Sequence, residues 1–164
     1  MAGRKKLNSF SPYLLTFLIS MLPVAELRGG LPLGISLGIP PLSAYAVSIA
    51  GNIIPVLPLL IGLRYLSKIA EKYRWWGRIF NKMEKKFQGK KKIICRYGIV
   101  GIVILVAIPL PVTGAWTGSL VSFLLSIPVK YSFPAIFIGV CLAGIVVLFT
   151  TLGILGVSRI FSGM

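Results

Sequence analysis

Two ionisable side chains stand in an otherwise apolar stretch, Glu26 and Arg28 in the string Glu-Leu-Arg-Gly-Gly-Leu-Pro at 26–32. An ionised group in hydrocarbon is costly unless it is paired or hydrated, so such a carboxyl is a functional candidate by default. Desolvation disfavours the carboxylate and a neighbouring guanidinium favours it. A carboxyl held between those influences can bind and release protons near neutral pH. Glu26 is therefore the candidate proton-coupling group, with Arg28 as its counter-ion or as a ligand for an anionic substrate. The alternative is a fixed ion pair that only positions the turn in which both lie.

A second polar string, Pro-Leu-Pro-Val-Thr-Gly-Ala-Trp-Thr-Gly at 109–118, carries no charge. Thr113 and Thr117 offer hydroxyls and Trp116 an indole donor, while Gly114 and Gly118 allow close backbone approach. With Gly29, Gly30, Pro32, Pro109 and Pro111 they form the candidate substrate-lining set. Helix N-termini opening at Gly30 and Gly118 would aim partial positive charge at a ligand; the alternative is that these glycines serve helix packing. Asn52 reads as an interhelical hydrogen-bonding residue rather than a ligand.

Other chemistry is poorly provided for. The chain has no His and no Asp, which leaves no acid/base pair, no nucleophile with a positioned base and no metal set. Cys95 and Cys141 form neither a disulfide framework nor a zinc spacing. The expectation is a non-enzyme without cofactor or metal.

The elements that must position these residues follow from composition. The 164 residues include 18 Lys and Arg against 3 Glu, are 56% hydrophobic and have a mean hydropathy of +0.90. Segments 1–9 and 64–96 hold 17 of the 21 charges; the rest of the chain holds Glu26, Arg28, Lys130 and Arg159. A soluble domain of this length has too little interior to hide so much apolar surface. The expected class is an all-α integral membrane protein, its basic residues facing anionic head groups rather than nucleic acid. The N-terminus reads as retained, without a signal-peptide cleavage site.

Apolar runs at 13–22 and 98–108 stop at Pro23 and Pro109, after roughly half of a ~30 Å hydrocarbon core. The runs at 42–63 and 131–158 are long enough to cross. A shift of 88 positions places Leu22-Pro23-Val24 on Leu110-Pro111-Val112, Gly30 on Gly118, Leu37 on Leu125, Ile39-Pro40 on Ile127-Pro128 and Gly51 on Gly139. The chain thus reads as a single membrane domain, 1–164, of two tandem repeats, about 12–63 and 98–158. Each repeat is a helical hairpin followed by a transmembrane helix. Gly/Pro-interrupted segments in corresponding positions of two halves point to a transport site. If the hairpins are re-entrant, each repeat crosses once and the two are inverted; two full crossings per repeat would make them parallel.

The 64–96 loop carries 12 Lys/Arg, which places it on the cytoplasmic side of a multi-pass cell-membrane protein. Its residues Leu66, Ile69, Tyr73, Trp76, Phe80, Met83 and Phe87 form one helical stripe, with Gly89 as a stop. Trp75, Trp76, Lys85 and Lys86 are the candidate lipid-surface residues of an interfacial helix. A coiled-coil face, a helix packed on the membrane domain, or a linker that only sets topology are the alternatives.

The first string, the Arg96-Tyr-Gly98 lead-in and Ala107-Ile-Pro-Leu-Pro-Val-Thr-Gly-Ala-Trp-Thr-Gly118 together resemble the putative small multi-drug export protein family of bacteria and archaea, over residues 12–158. That family is in turn distantly similar to the DedA/VTT membrane proteins, for which the resemblance implies two opposed re-entrant hairpins and proton-linked or lipid transport. DedA-like proteins place functional arginines in the second hairpin; positions 108–118 have none here, and Arg28 would have to substitute from the first.

The resulting expectation is a proton-coupled transporter of a small molecule with its site between two hairpin tips. A lipid scramblase or lipid-carrier flippase, and a membrane-shaping protein, are the alternatives. Expected partners are protons, anionic membrane lipids, a small-molecule or lipid substrate, and a second copy of the chain to enclose the path.

Overall fold

The computed structural model of the chain describes residues 11–70, 91–109 and 113–162. Pro111, the loop residues Trp75, Trp76, Lys85, Lys86 and Gly89, and the stripe beyond residue 70 lie outside the described residues. Those described form seven helices: α1 (Pro12–Met21), α2 (Glu26–Ser36), α3 (Pro41–Ile53), α4 (Val56–Ala70), α5 (Lys91–Ala107), α6 (Ala115–Leu124) and α7 (Val129–Ser162). No strand occurs among them.

Proline and glycine set most of the boundaries. Pro12 and Pro41 open α1 and α3 at positions where a missing N–H costs nothing. Leu22 closes α1 in an extended conformation, φ −69° and ψ 138°, because the following Pro23 disfavours the helical region for its predecessor. The ends of α2 and α6 share one geometry. Gly38 has φ +88° and Ser126 φ +54°, and the next residues turn their N–H groups back, Ile39 to the Gly34 carbonyl and Ile127 to that of Ser122, each at 3.0 Å. This is the Schellman stop, and it buries Ile39 and Ile127.

The apolar run at 42–63, expected to be long enough to cross, is divided between α3 and α4. Pro55 supplies no N–H to the ladder, but Ile54 keeps helical angles, so α4 continues in nearly the same course. Together Pro41–Tyr65 make a 25-residue apolar stretch of mean hydropathy 2.0, and Val129–Ile154 make one of 26 residues at 2.6. Both are long and apolar enough to cross a membrane. In contrast α1, α2 and α6 have 10, 11 and 10 residues, about 15 Å each.

Small residues bring the short helices together. Thr16 and Ser20 of α1 donate to the Pro12 and Thr16 carbonyls of their own helix, each at 2.8 Å, so their hydroxyls lie flat. Against them pack Gly30 and Gly34 of α2 and Gly51 of α3; a Cβ at Gly30 would strike Ser20 Oγ, and one at Gly51 the Phe17 carbonyl. Helix α5 packs on α7, and across the halves α2 meets α7, α6 meets α4 and α3 meets α7. The core between them holds Leu27, Leu31, Val56, Ile102, Val106 and Ile136. Val24, Leu42, Phe149 and Ile154 face outward.

The first residue assigned to the basic loop is structural. Helix α4 runs past position 64, and the Arg64 guanidinium donates to the Ile127 carbonyl beyond the end of α6.

Candidate functional site

Residues 22–25 turn the chain from α1 into α2, and Glu26 is the first residue of the new helix. Its N–H donates to the Leu22 carbonyl at 2.9 Å, and it holds a left-handed φ of +47°. A side-chain-bearing residue in that region costs about 1–2 kcal/mol, so other contacts must hold it there. They come from the second half of the chain. The carboxylate is buried, accepts the Trp116 N–H and lies on Gly114, where a Cβ would fall inside the carboxyl group. Gly114 and Trp116 are the N-cap and second residue of α6. The acid of the first half therefore caps a helix of the second, the electrostatically favoured end for an anion.

Arg28 lies one residue beyond Leu27 on α2 and is half-buried. Its guanidinium reaches Thr113 Oγ1 at 3.4 Å, and that hydroxyl donates to the Ile108 carbonyl at 3.0 Å. Glu26 thus accepts a hydrogen bond from the first turn of α6, and Arg28 donates one to Thr113 in the segment before it.

Two spaces adjoin this junction. An open cleft of about 740 Å³ is walled by Arg28, Pro32, Leu33 and Ser36 on one side and by Pro109, Val147, Thr150 and Thr151 on the other. A small space of about 10 Å³ is bounded by Glu26, Leu27, Arg28, Asn52, Val106, Gly114, Ala115, Val140 and Ala143.

The candidate residues named from sequence divide accordingly. Glu26, Arg28, Thr113, Gly114 and Trp116 converge, the last through its backbone. Pro32 and Pro109 line the open cleft. Gly29 lies against Ala25 and Ile19, and Thr117 sits in the first turn of α6. The expectation that helices open at Gly30 and Gly118 is corrected: α2 and α6 begin four and three residues earlier. Both glycines face neighbouring helices, Gly30 against Ser20 and Gly118 against Val106. The amide oxygen of Asn52 does not make the expected interhelical hydrogen bond; it is buried without a partner. Sequence reading missed Ser36, Thr150 and Thr151, since hydroxyls are common in apolar helices. Asn52 had a signal, being the one amide in α3.

The arrangement can hold one proton or one negative charge between two helical turns, and can offer a cation and hydroxyls to a molecule in the open cleft. No curated protein and no solved structure matches the chain. Residues 26–146 match the family described as Putative small multi-drug export protein. That match starts at Glu26, takes in Arg28 and the whole 113–118 segment, and covers most of the 164 residues. The chain belongs to the putative small multi-drug export protein family.

Proposed function

We propose that the protein is a multi-pass exporter of small molecules driven by protons, with Glu26 as the protonation site and the cleft beside Arg28 as the substrate site. The family supplies the export role. The observation that carries the rest is the Glu26 carboxylate, the only acidic side chain among the described residues, buried on the N-terminus of α6 two residues from Arg28. Ionised, it clamps α2 to α6 through a charge-assisted hydrogen bond. Protonated, it loses most of that hold, and the turn carrying Thr113 is free to move away from Arg28. A proton thus biases two arrangements of the cleft wall, which is what coupling requires.

The architecture we infer is an inverted repeat of re-entrant hairpins. Shifted by 88, Glu26–Ser36 falls on 114–124, the range of α6 with its cap, and Gly38 falls on Ser126, the two residues whose left-handed backbone closes α2 and α6. The α1 and α5 ends, Met21 and Ala107, are 86 apart, so the second turn is longer by two residues. Helices α2 and α6 then enter from opposite faces of the membrane, each too short to cross. The loop at 64–96 faces the cytoplasm by its charge, with Trp75, Trp76, Lys85 and Lys86 on anionic lipid. The protein needs no cofactor and no nucleic acid in this scheme, and a second copy closes the cleft.

In proteoliposomes with an imposed pH gradient, wild-type protein is expected to export amphipathic dyes and Glu26→Gln to fail. Full export by that variant would refute the coupling. A second reading, movement of a lipid or lipid carrier, is favoured by the openness and apolar walls of the cleft. It requires that purified protein accelerate dithionite bleaching of inner-leaflet fluorescent lipid, and no acceleration removes it.

A further inference from the structure

Three buried polar side-chain atoms among the described residues lack a hydrogen-bond partner: Ser48 Oγ, Asn52 Oδ1 and Trp116 Nε1. The Asn52 oxygen differs from the others in its surroundings. Asn52 is only 3% exposed, and it bounds the same small space as Glu26. An amide oxygen left unpaired in the interior carries its full desolvation penalty, so its persistence calls for a donor that is present part of the time. An ionised carboxylate cannot supply one, because it only accepts. A neutral carboxylic acid can. The space of about 10 Å³ is at the lower limit for one water.

We propose that Asn52 is the positioning residue for protonated Glu26: the O–H of the neutral carboxyl donates to Asn52 Oδ1, while the ionised carboxylate is held by the Trp116 N–H. The assignment rests on the reading of Glu26 as the protonation site. The described walls of the space come from five helices or their caps: Arg28 on α2, Asn52 on α3, Val106 on α5, Gly114 and Ala115 on α6, Val140 and Ala143 on α7. Apart from Glu26, the only ionisable group among these is Arg28. An alkali cation in place of the proton would face both that guanidinium and the positive end of α6, which disfavours it. Asn52 thereby gives the protonated state a defined geometry, and Glu26 swings between two partners on different helices.

Infrared difference spectra of the reconstituted protein, recorded as a function of pH, test this directly. The carboxylic carbonyl band of Glu26 is the one that vanishes in Glu26→Gln. In Asn52→Leu the neutral form loses its acceptor, so the band is expected at higher frequency and its titration midpoint lower by about half to one pH unit. In Asn52→Asp a second carboxylate faces the first, and the midpoint is expected to rise. Opposite shifts from two substitutions at one position would not arise from a packing defect. A Glu26 band that titrates identically in wild type and Asn52→Leu overturns the role of Asn52 and leaves the protonation reading intact. A spectrum in which no titrating band disappears with Glu26→Gln overturns both. A midpoint that falls as sodium replaces a bulky cation at constant ionic strength assigns the space to a metal ion and overturns the inference.

Discussion

The contact between Glu26 and Gly114 gives the sharpest test of how the site is built. Gly114 has an extended backbone, φ 177° and ψ −161°, which alanine can adopt, so its chain conformation does not require glycine. The neighbouring carboxyl does, because a Cβ at 114 falls within it. Gly114→Ala must therefore push the Glu26 carboxylate off the N-terminus of α6. The loss is a hydrogen bond to a charged group, about 1.5–3 kcal/mol, together with about 0.3–1 kcal/mol of interaction with the helix terminus. Against this stands a gain of about 0.4–1 kcal/mol from stiffening the unfolded chain. The expected net cost is about 2 kcal/mol.

In a Glu26→Ala background no carboxyl occupies the space, and Gly114→Ala is expected to be neutral or stabilising by up to about 1 kcal/mol. The coupling between the two sites is then about 2–3 kcal/mol. It can be measured by a double-mutant cycle on reversible denaturation in mixed micelles, followed by tryptophan fluorescence. In thermal unfolding the single Gly114→Ala variant should melt about 4–8 °C below wild type. Additivity of the two substitutions within about 0.5 kcal/mol would refute the argument, since it would mean that carboxyl and glycine do not share the space.

Two further outcomes follow from backbone and capping geometry. Ser126 carries φ +54° at the end of α6 and Gly38 φ +88° at the end of α2; Ser126→Gly should stabilise the protein by about 1 kcal/mol and Gly38→Ala destabilise it by about as much, both read from the denaturation midpoint at constant slope. Arg64 donates to the Ile127 carbonyl, so Arg64→Gln should cost about 1.5–3 kcal/mol in the same assay, whereas loss of a solvated loop charge would leave the midpoint within about 0.5 kcal/mol.

How much of this could be read from the sequence depends on whether the deciding partner is local. The stop of α1 before Pro23 and the Ile-Pro exits after α2 and α6 are properties of neighbouring residues, and they were legible. Glu26 and Arg28 stood out because a charge in an apolar stretch needs no partner to be conspicuous. Gly30 and Gly118 read as helix openings in the sequence because a glycine before a ligand and a glycine beneath a crossing helix look alike there. Only the presence of Ser20 and Val106 across from them decides. The turn at Pro55 leaves no mark in hydropathy, because the apolar run continues through it. Asn52 is visible as an amide but not as an unpaired one, since its surroundings are assembled from residues on five helices.

The asymmetry at the centre of the site has a geometric origin under the inverted-repeat reading. A shift of 88 carries Glu26 onto Gly114 and Arg28 onto Trp116, so the two residues that meet most closely are equivalents of each other. Positions related by a two-fold axis and touching across it share one volume. If both carried glutamate, two carboxyl groups would compete for the space of one, and two adjacent carboxylates cannot both ionise readily. If both were glycine, neither helix terminus would be capped and no proton could be held. One half must therefore supply the acid, and the other must supply the vacancy and the Trp116 N–H that receives it. Two identical copies of a single unit cannot meet that requirement at their shared axis. A fused pair, free to diverge at 26 and 114, can, and the charge that singles out the first half is the mark of that division of roles.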